Sequence, residues 1–138
     1  MAYLFDTDAV SEVLKRKPRA AYLRWLAEVP REEQYTSAVT IGEMYRGAFR
    51  SSEALRHLTN IDDRVLTNIT VLPFDTAVAR VYGSLCAQLA ASNALLADAD
   101  LQIAATAVRH GLTLVTGNLR HFARVPGLTI ETASALSP

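Results

Sequence analysis

Short apolar runs alternate with longer segments of helical periodicity along this chain, and this alternation constrains the fold more than any other feature. The predicted strands are residues 2–5, 34–39, 69–72, 112–116 and 128–131. The predicted helices between them are residues 9–16, 19–28, 41–50, 52–68, 75–91 and 98–110. Because parallel strands need long, usually helical connections, this order predicts an α/β fold with a central, mainly parallel sheet of four to five strands.

The ends of the predicted helices carry recognisable signals. Thr7 or Asp8 is expected to cap the first helix, Thr40 the helix that begins at residue 41, and Asp75 the long helix after it. Gly111 is the expected stop of the helix over 98–110, since glycine readily adopts left-handed backbone.

Composition restricts the class of protein. A chain of 138 residues, half of them apolar, predicts one folded domain. No stretch reaches the roughly 18 uninterrupted apolar residues of a membrane span, so we expect no membrane association. The single cysteine, Cys86, has no partner for a disulfide or a zinc site, which favours the reducing cytoplasm. A net charge of zero argues against non-specific coating of nucleic acid.

Polar residues concentrate where the predicted strands end. In open parallel sheets, binding sites form at the carboxyl ends of the strands. The residues expected at that edge are Asp6, Asp8, Glu43, Asp98, Asp100, Thr116 and Asn118. Ionised oxygen ligands suit a hard cation such as Mg²⁺ or Mn²⁺.

This set predicts metal-assisted hydrolysis of a phosphodiester. An ion held by Asp6 and Asp100 can polarise a phosphodiester oxygen and lower the pKa of a bound water. Glu43 or Asp98 would complete the ligand shell or act as a base, and Asn118 would orient the water or the phosphate. Thr116 is grouped with Asn118 in this positioning role.

Most of these residues also have a structural explanation. Glu43 can close a capping box with Thr40, while Asp8 and Asp98 can be helix caps. Asp100 can favour the helix dipole, and Asn118 can be a turn residue. Asp6 is the exception, because it ends a buried strand and caps nothing obvious in the sequence.

Four segments together resemble the PIN-domain ribonucleases, specifically the VapC-type toxins of bacterial toxin–antitoxin pairs. They are Leu4–Asp8, Ser37–Gly47, Asp98–Ala107 and Leu112–Phe122, with Val125–Leu128 after them. The resemblance implies a single PIN domain over residues 1–138, folded as a three-layer α/β/α sandwich. It also implies a homodimer that cuts structured RNA and forms a toxin–antitoxin hetero-oligomer with a cognate VapB-type antitoxin.

The resemblance assigns roles by position. Asp6, Glu43 and Asp100 match the family's first three acids, and Asp98 matches an additional acid of many members. Asn118 stands where many PIN domains have aspartate, so this chain has a neutral residue there. The predicted function is a Mg²⁺- or Mn²⁺-dependent endoribonuclease that acts as a toxin.

Two other functions remain open from the sequence. A degenerate PIN domain would only bind RNA or a partner protein, which the neutral Asn118 permits. A haloacid-dehalogenase-like phosphatase would use Asp6 and Asp8, but it needs a late lysine and no lysine follows Lys17. For RNA contact the candidates are Arg46 and Arg50, with Arg56 and Arg64 further along the chain.

Overall fold

The computed structural model describes residues 1–131 and contains a five-stranded sheet in the order β3-β2-β1-β4-β5, with every neighbouring pair parallel. The strands are β1 (Tyr3–Phe5), β2 (Gln34–Ser37), β3 (Thr70–Leu72), β4 (Thr113–Val115) and β5 (Ile130–Glu131). All five predicted strands are therefore confirmed, and β5 lies at one edge of the sheet. Residues 132–138 of the predicted domain lie outside the described residues.

Helices cover both faces of this sheet. They are α1 (Thr7–Glu12), α2 (Ala20–Ala27), α3 (Ala38–Arg50), α4 (Ala54–Asn60), α5 (Thr76–Ala91), α6 (Asp98–His110) and α7 (Leu119–Phe122). Leu4 belongs to a core that includes side chains of α5 and α6, while Phe5 belongs to a second core that includes side chains of α1 to α4. Because successive strand residues point to opposite faces, these two neighbours anchor two separate cores, and the three-layer sandwich is confirmed. Within residues 1–131, no helix has the length and hydrophobicity needed to cross a membrane.

Several predicted helix limits are corrected by the contacts of polar side chains. β2 ends at Ser37, whose hydroxyl accepts a hydrogen bond from the Thr40 amide at 2.9 Å, so Ser37 and not Thr40 caps α3. The predicted helix over 52–68 is α4 followed by a π-helical segment, Ile61–Val65. Asp75 and Gly111 behave as predicted: Asp75 caps α5, and Gly111 ends α6 with a φ of +65°.

The first helix is shorter than predicted because of a buried acid. Glu12 is its last residue, and its carboxylate accepts hydrogen bonds from the Lys15 side chain and the Arg19 amide, each at 2.9 Å. These bonds turn the chain toward α2 instead of continuing α1 to residue 16. Tyr22 of α2 is fully buried and donates from its hydroxyl to the Ala9 carbonyl, which fixes α2 against α1.

Candidate active site

The central strand β1 determines where a site can form. The chain adds β2 on one side of β1 and later β4 on the other, so the strand order changes direction there. Crevices in open α/β sheets lie beyond the carboxyl ends of the strands at such a switch point. Asp6 is the first residue after β1, and its amide donates to the Val115 carbonyl of β4 at 3.1 Å. The sheet pairing thus holds Asp6 at the crevice.

Asp6 is a buried carboxylate, with only 4% of the residue exposed. Asp6 caps α1, because its Oδ1 accepts a hydrogen bond from the Ala9 amide at 2.9 Å. The expectation that Asp6 caps nothing is therefore wrong, and so is the expectation that Thr7 or Asp8 is the cap. Burial raises the pKa of Asp6 to about 7. Hydrogen bonds from Thr116 and the Ala9 amide lower the pKa, but burial has the larger effect. The charges of Asp8 and Asp100 add to the rise.

Thr116 acts on Asp6 directly. It follows β4, is fully buried, and its side chain hydrogen-bonds to the Asp6 carboxylate. Its oxygen also accepts from the Asn118 amide at 3.0 Å, which links the loop after β4 to the crevice. Asn118 itself is exposed, and its side chain makes no capping bond to α7. Thr116 thus orients the buried acid, and the Asn118 side chain is left facing solvent.

Glu43 is linked to the crevice through Thr7, the residue that follows Asp6. The Thr7 hydroxyl donates to Glu43 Oε1 at 2.6 Å, across 36 residues of sequence. The alternative of a capping box with Thr40 is excluded, since the Thr40 amide bonds Ser37 instead. Sequence reasoning missed Thr7 as a partner, because nothing local indicates that the first turn of α1 meets α3.

The two acids at the start of α6 have different neighbours. Asp100 Oδ2 lies 2.8 Å from His121 Nε2, and both side chains are partly buried. Asp98 is exposed and accepts from the Tyr82 hydroxyl of α5, also at 2.8 Å. Residues two apart on a helix point in different directions. Of these two acids, Asp100 is the one oriented toward Asp6, and the charge of Asp100 raises the pKa of Asp6.

The donor set fits a hard divalent cation. Its atoms are carboxylate oxygens, and a buried acid flanked by two other negative charges gains from a nearby cation. Within residues 1–131, however, no three His, Cys, Asp or Glu side chains are already arranged around a common ion position. Glu43 and Asp100 are instead engaged by Thr7 and His121. The structure therefore brings Asp6 and Asp100 together and leaves Asp98 on the Tyr82 side.

The arginines predicted to contact RNA lie on α3, on α4 and on the π-helical segment. Arg46 and Arg50 are exposed on α3. Arg56 and Arg64 line a groove between α1, α3 and α4, which Thr7 and Glu43 also line.

Comparisons with known proteins give a consistent result. The PIN domain family model matches residues 3–128. Ribonuclease VapC2 of Haemophilus influenzae is 34% identical over 95% of this chain and 97% of its own length. The tRNA(fMet)-specific endonuclease VapC of Salmonella typhimurium is 30% identical over the same shares of the two chains. The crystal structure of DNA-bound VapBC from Salmonella typhimurium contains a chain similar at a TM-score of 0.87 and 30% identity, covering 96% of this chain and 98% of that one.

Proposed function

This chain belongs to the PIN-domain family, and we propose that it is a VapC-type toxin that cleaves RNA phosphodiester bonds with the help of Mg²⁺ or Mn²⁺. The proposal is carried by Asp6, a buried acid at the end of the central strand whose pKa is raised by burial and by the charges of Asp8 and Asp100. Family membership removes the phosphatase alternative.

Each residue of the crevice has a role in the proposed reaction. Asp6 and Asp100 would hold the ion, with Glu43 and Asp98 as further acids that bind it through water or accept a proton. When bound, the ion would supply charge that polarises the phosphodiester and lowers the pKa of water. Thr116 keeps the Asp6 carboxylate oriented, and the exposed Asn118 is suited to position water or phosphate.

The partners follow from the relatives. The similar Salmonella chain belongs to a VapBC complex, and its curated relative is named as specific for tRNA(fMet). We propose a cognate VapB-type antitoxin, a toxin homodimer within a toxin–antitoxin hetero-oligomer, and action on RNA in the cytoplasm. An initiator-tRNA transcript is the first substrate to test.

Cleavage by purified protein tests the proposal. We expect an initiator-tRNA transcript or total RNA to be cut with Mg²⁺ or Mn²⁺, and cleavage to be lost with EDTA. Asp6→Ala and Asp100→Ala should be inactive, while Asp63→Ala, an exposed acid on the π-helical segment, should remain active. If folded Asp6→Ala and Asp100→Ala cut as well as the unmodified protein, the proposed chemistry is wrong.

The neutral Asn118 supports one alternative, a degenerate PIN domain that only binds RNA or a partner. The same assay separates the two functions. A protein that binds the transcript but cuts nothing with either metal would be the degenerate form. Asn118→Asp would then be the variant to examine for restored cleavage.

A further inference from the structure

An open groove runs along the surface from the candidate active site. It lies between α1 with its following turn, α3, α4 and the π-helical segment, and has a volume of about 1140 Å³. The hydrogen-bonded pair Thr7 and Glu43 lines it, and Thr7 directly follows Asp6 in the chain. We call it the α1–α4 groove. Whatever extends from a substrate bound at Asp6 in this direction enters it.

The lining of the α1–α4 groove is basic. It contains four arginine or lysine side chains and one histidine, and Glu43 is the only Asp or Glu among the described residues that line it. These basic residues are Lys15, Arg16, His57, Arg56 and Arg64. The groove therefore favours a ligand with repeated negative charge.

The basic residues differ in how much of their charge is already neutralised. Lys15 is paired with the buried Glu12 at 2.9 Å, and Arg56 is paired with Glu53 at 2.6 Å in an exposed bridge. Arg64 donates to the neutral Val13 carbonyl. An exposed bridge between solvated side chains is weak and exchanges readily for another anion, whereas the bond from Lys15 serves the fold.

Arg16 is the most available cation of the groove. It is exposed, and within residues 1–131 it has no hydrogen bond or ion pair. Arg16 and Arg56 come from different parts of the lining, the turn after α1 and the helix α4. Both can meet an anion without breaking a contact that holds the core.

The absence of aromatic lining indicates which part of a nucleic acid is bound. No Phe, Tyr or Trp of the described residues lines the groove, and its floor is aliphatic. Base stacking on aromatic rings is thus not available there, whereas arginines bind phosphate oxygens well. Phosphate contacts position a strand without reading its sequence.

We propose that the α1–α4 groove binds the phosphate backbone of the RNA next to the cleaved bond, with Arg16 and Arg56 as phosphate contacts. The proposal rests on the proposed function for the identity of the polyanion. An RNA strand held at Asp6 continues past the scissile phosphate. Its next phosphates would lie in the groove, where Arg16 and Arg56 can bind them. Base specificity is then left to surfaces outside the groove.

Equilibrium binding in EDTA tests the groove without requiring cleavage. The probes are a fluorescein-labelled oligouridylate of about twelve nucleotides and an initiator-tRNA transcript, titrated at several salt concentrations. Each lost phosphate contact should weaken single-strand binding about fivefold at about 0.1 M salt, so Arg16→Gln/Arg56→Gln should bind the oligouridylate about 25-fold more weakly. The slope of log K against log salt should fall in magnitude by about 1.4.

Three matched variants make this result specific. Arg16→Lys/Arg56→Lys keeps both charges and should retain the slope. Arg31→Gln/Arg109→Gln removes two exposed charges just before β2 and β4, at the opposite edge of the sheet, and should bind normally. Circular dichroism and thermal melting verify that every variant is folded. Arg46→Gln/Arg50→Gln in the same assay tests the pair predicted from sequence.

The outcomes separate this proposal from the proposed function. Unchanged affinity and slope in Arg16→Gln/Arg56→Gln, or failure of the unmodified protein to bind either RNA, overturns the groove assignment whether or not the protein cleaves. A protein that binds RNA through the groove but never cuts it overturns only the catalytic proposal. If an oligoglutamate of about twelve residues binds as tightly as the RNA and loses affinity in the same variant, the groove is a site for an acidic peptide and the RNA assignment fails.

Discussion

Replacing Asp6 with asparagine should stabilise the metal-free protein, and the gain should grow with pH. The unfolded chain loses the Asp6 proton near its ordinary pKa of 3.8, whereas burial lets the folded protein keep it until about pH 7. Between these values the folded state binds more protons, so stability falls as the pH rises and levels off above about pH 7. An asparagine side chain at this position carries no charge and does not contribute to this fall.

The size of the effect follows from the two pKa values. The destabilisation due to Asp6, relative to low pH, is about 2 kcal/mol at about pH 5 and about 4 kcal/mol at about pH 8. The advantage of Asp6→Asn should therefore increase by about 2 kcal/mol between these conditions, equivalent to about 8 °C in melting temperature for a domain of this size. Asparagine caps helices as well as aspartate does, so the bond to the Ala9 amide need not be lost.

Urea unfolding in EDTA across this pH range measures the effect. Asp75→Asn is the matched control: Asp75 caps α5 through the same bond, from the amide three residues on at 3.0 Å, but it is exposed. We expect its change in stability to vary much less with pH. An advantage of Asp6→Asn that is equal at about pH 5 and about pH 8 would refute the conclusion that burial keeps Asp6 protonated.

Three further substitutions test the scaffold that carries the site. Burial opposes ionisation of Glu12, but the hydrogen bonds from Lys15 and the Arg19 amide outweigh this effect and lower the pKa of Glu12. Glu12→Gln should therefore reduce the free energy of unfolding by about 1–2 kcal/mol at neutral pH, as measured by urea unfolding. The reduction should become smaller as the pH falls below the ordinary pKa of 4.5. Tyr22→Phe should lose about 1 kcal/mol in the same assay, because a buried hydrogen bond to α1 disappears. Gly111→Ala should cost about 1 kcal/mol of stability, measured as a lower melting temperature, since φ is +65° there.

The parallel sheet, and the position of a site at the carboxyl ends of its strands, were predictable because both depend on local sequence patterns. Apolar runs separated by helical segments require parallel strands, and parallel strands bring their carboxyl ends to one edge. The end of β2 was misplaced because Ser37 and Thr40 are both good caps in sequence. The tertiary structure distinguishes them. Both hydroxyls are buried and hydrogen-bond to each other at 2.8 Å, and it is the Ser37 hydroxyl that accepts the hydrogen bond from the Thr40 amide.

The polar partners of the site were not predictable from local patterns. Thr7 meets Glu43 over 36 residues, and His121 meets Asp100 over 21. Each pair depends on how a helix is packed on the sheet, which no spacing rule specifies. The same holds for the separation of Asp98 from Asp100, where the position of Tyr82 on α5 determines the partner. Sequence identified the acids, whereas packing determined which of them face one another.

A comparison of Asp6 with Asp75 supports the proposal that the carboxylate at the end of β1 binds a cation and is not only a cap. Both begin a helix with equivalent bonds, at 2.9 and 3.0 Å, and the exposed Asp75 demonstrates that capping requires no burial. Asparagine would cap α1 equally well without an ionisable group. A buried acid with its pKa raised to about 7 is therefore a cost that folding does not require, and a cation bound beside it would remove that cost. Asp6→Asn, the variant expected to be more stable without metal, should also lose cleavage in the RNA assay, because it removes one of the two carboxylates proposed to hold the ion.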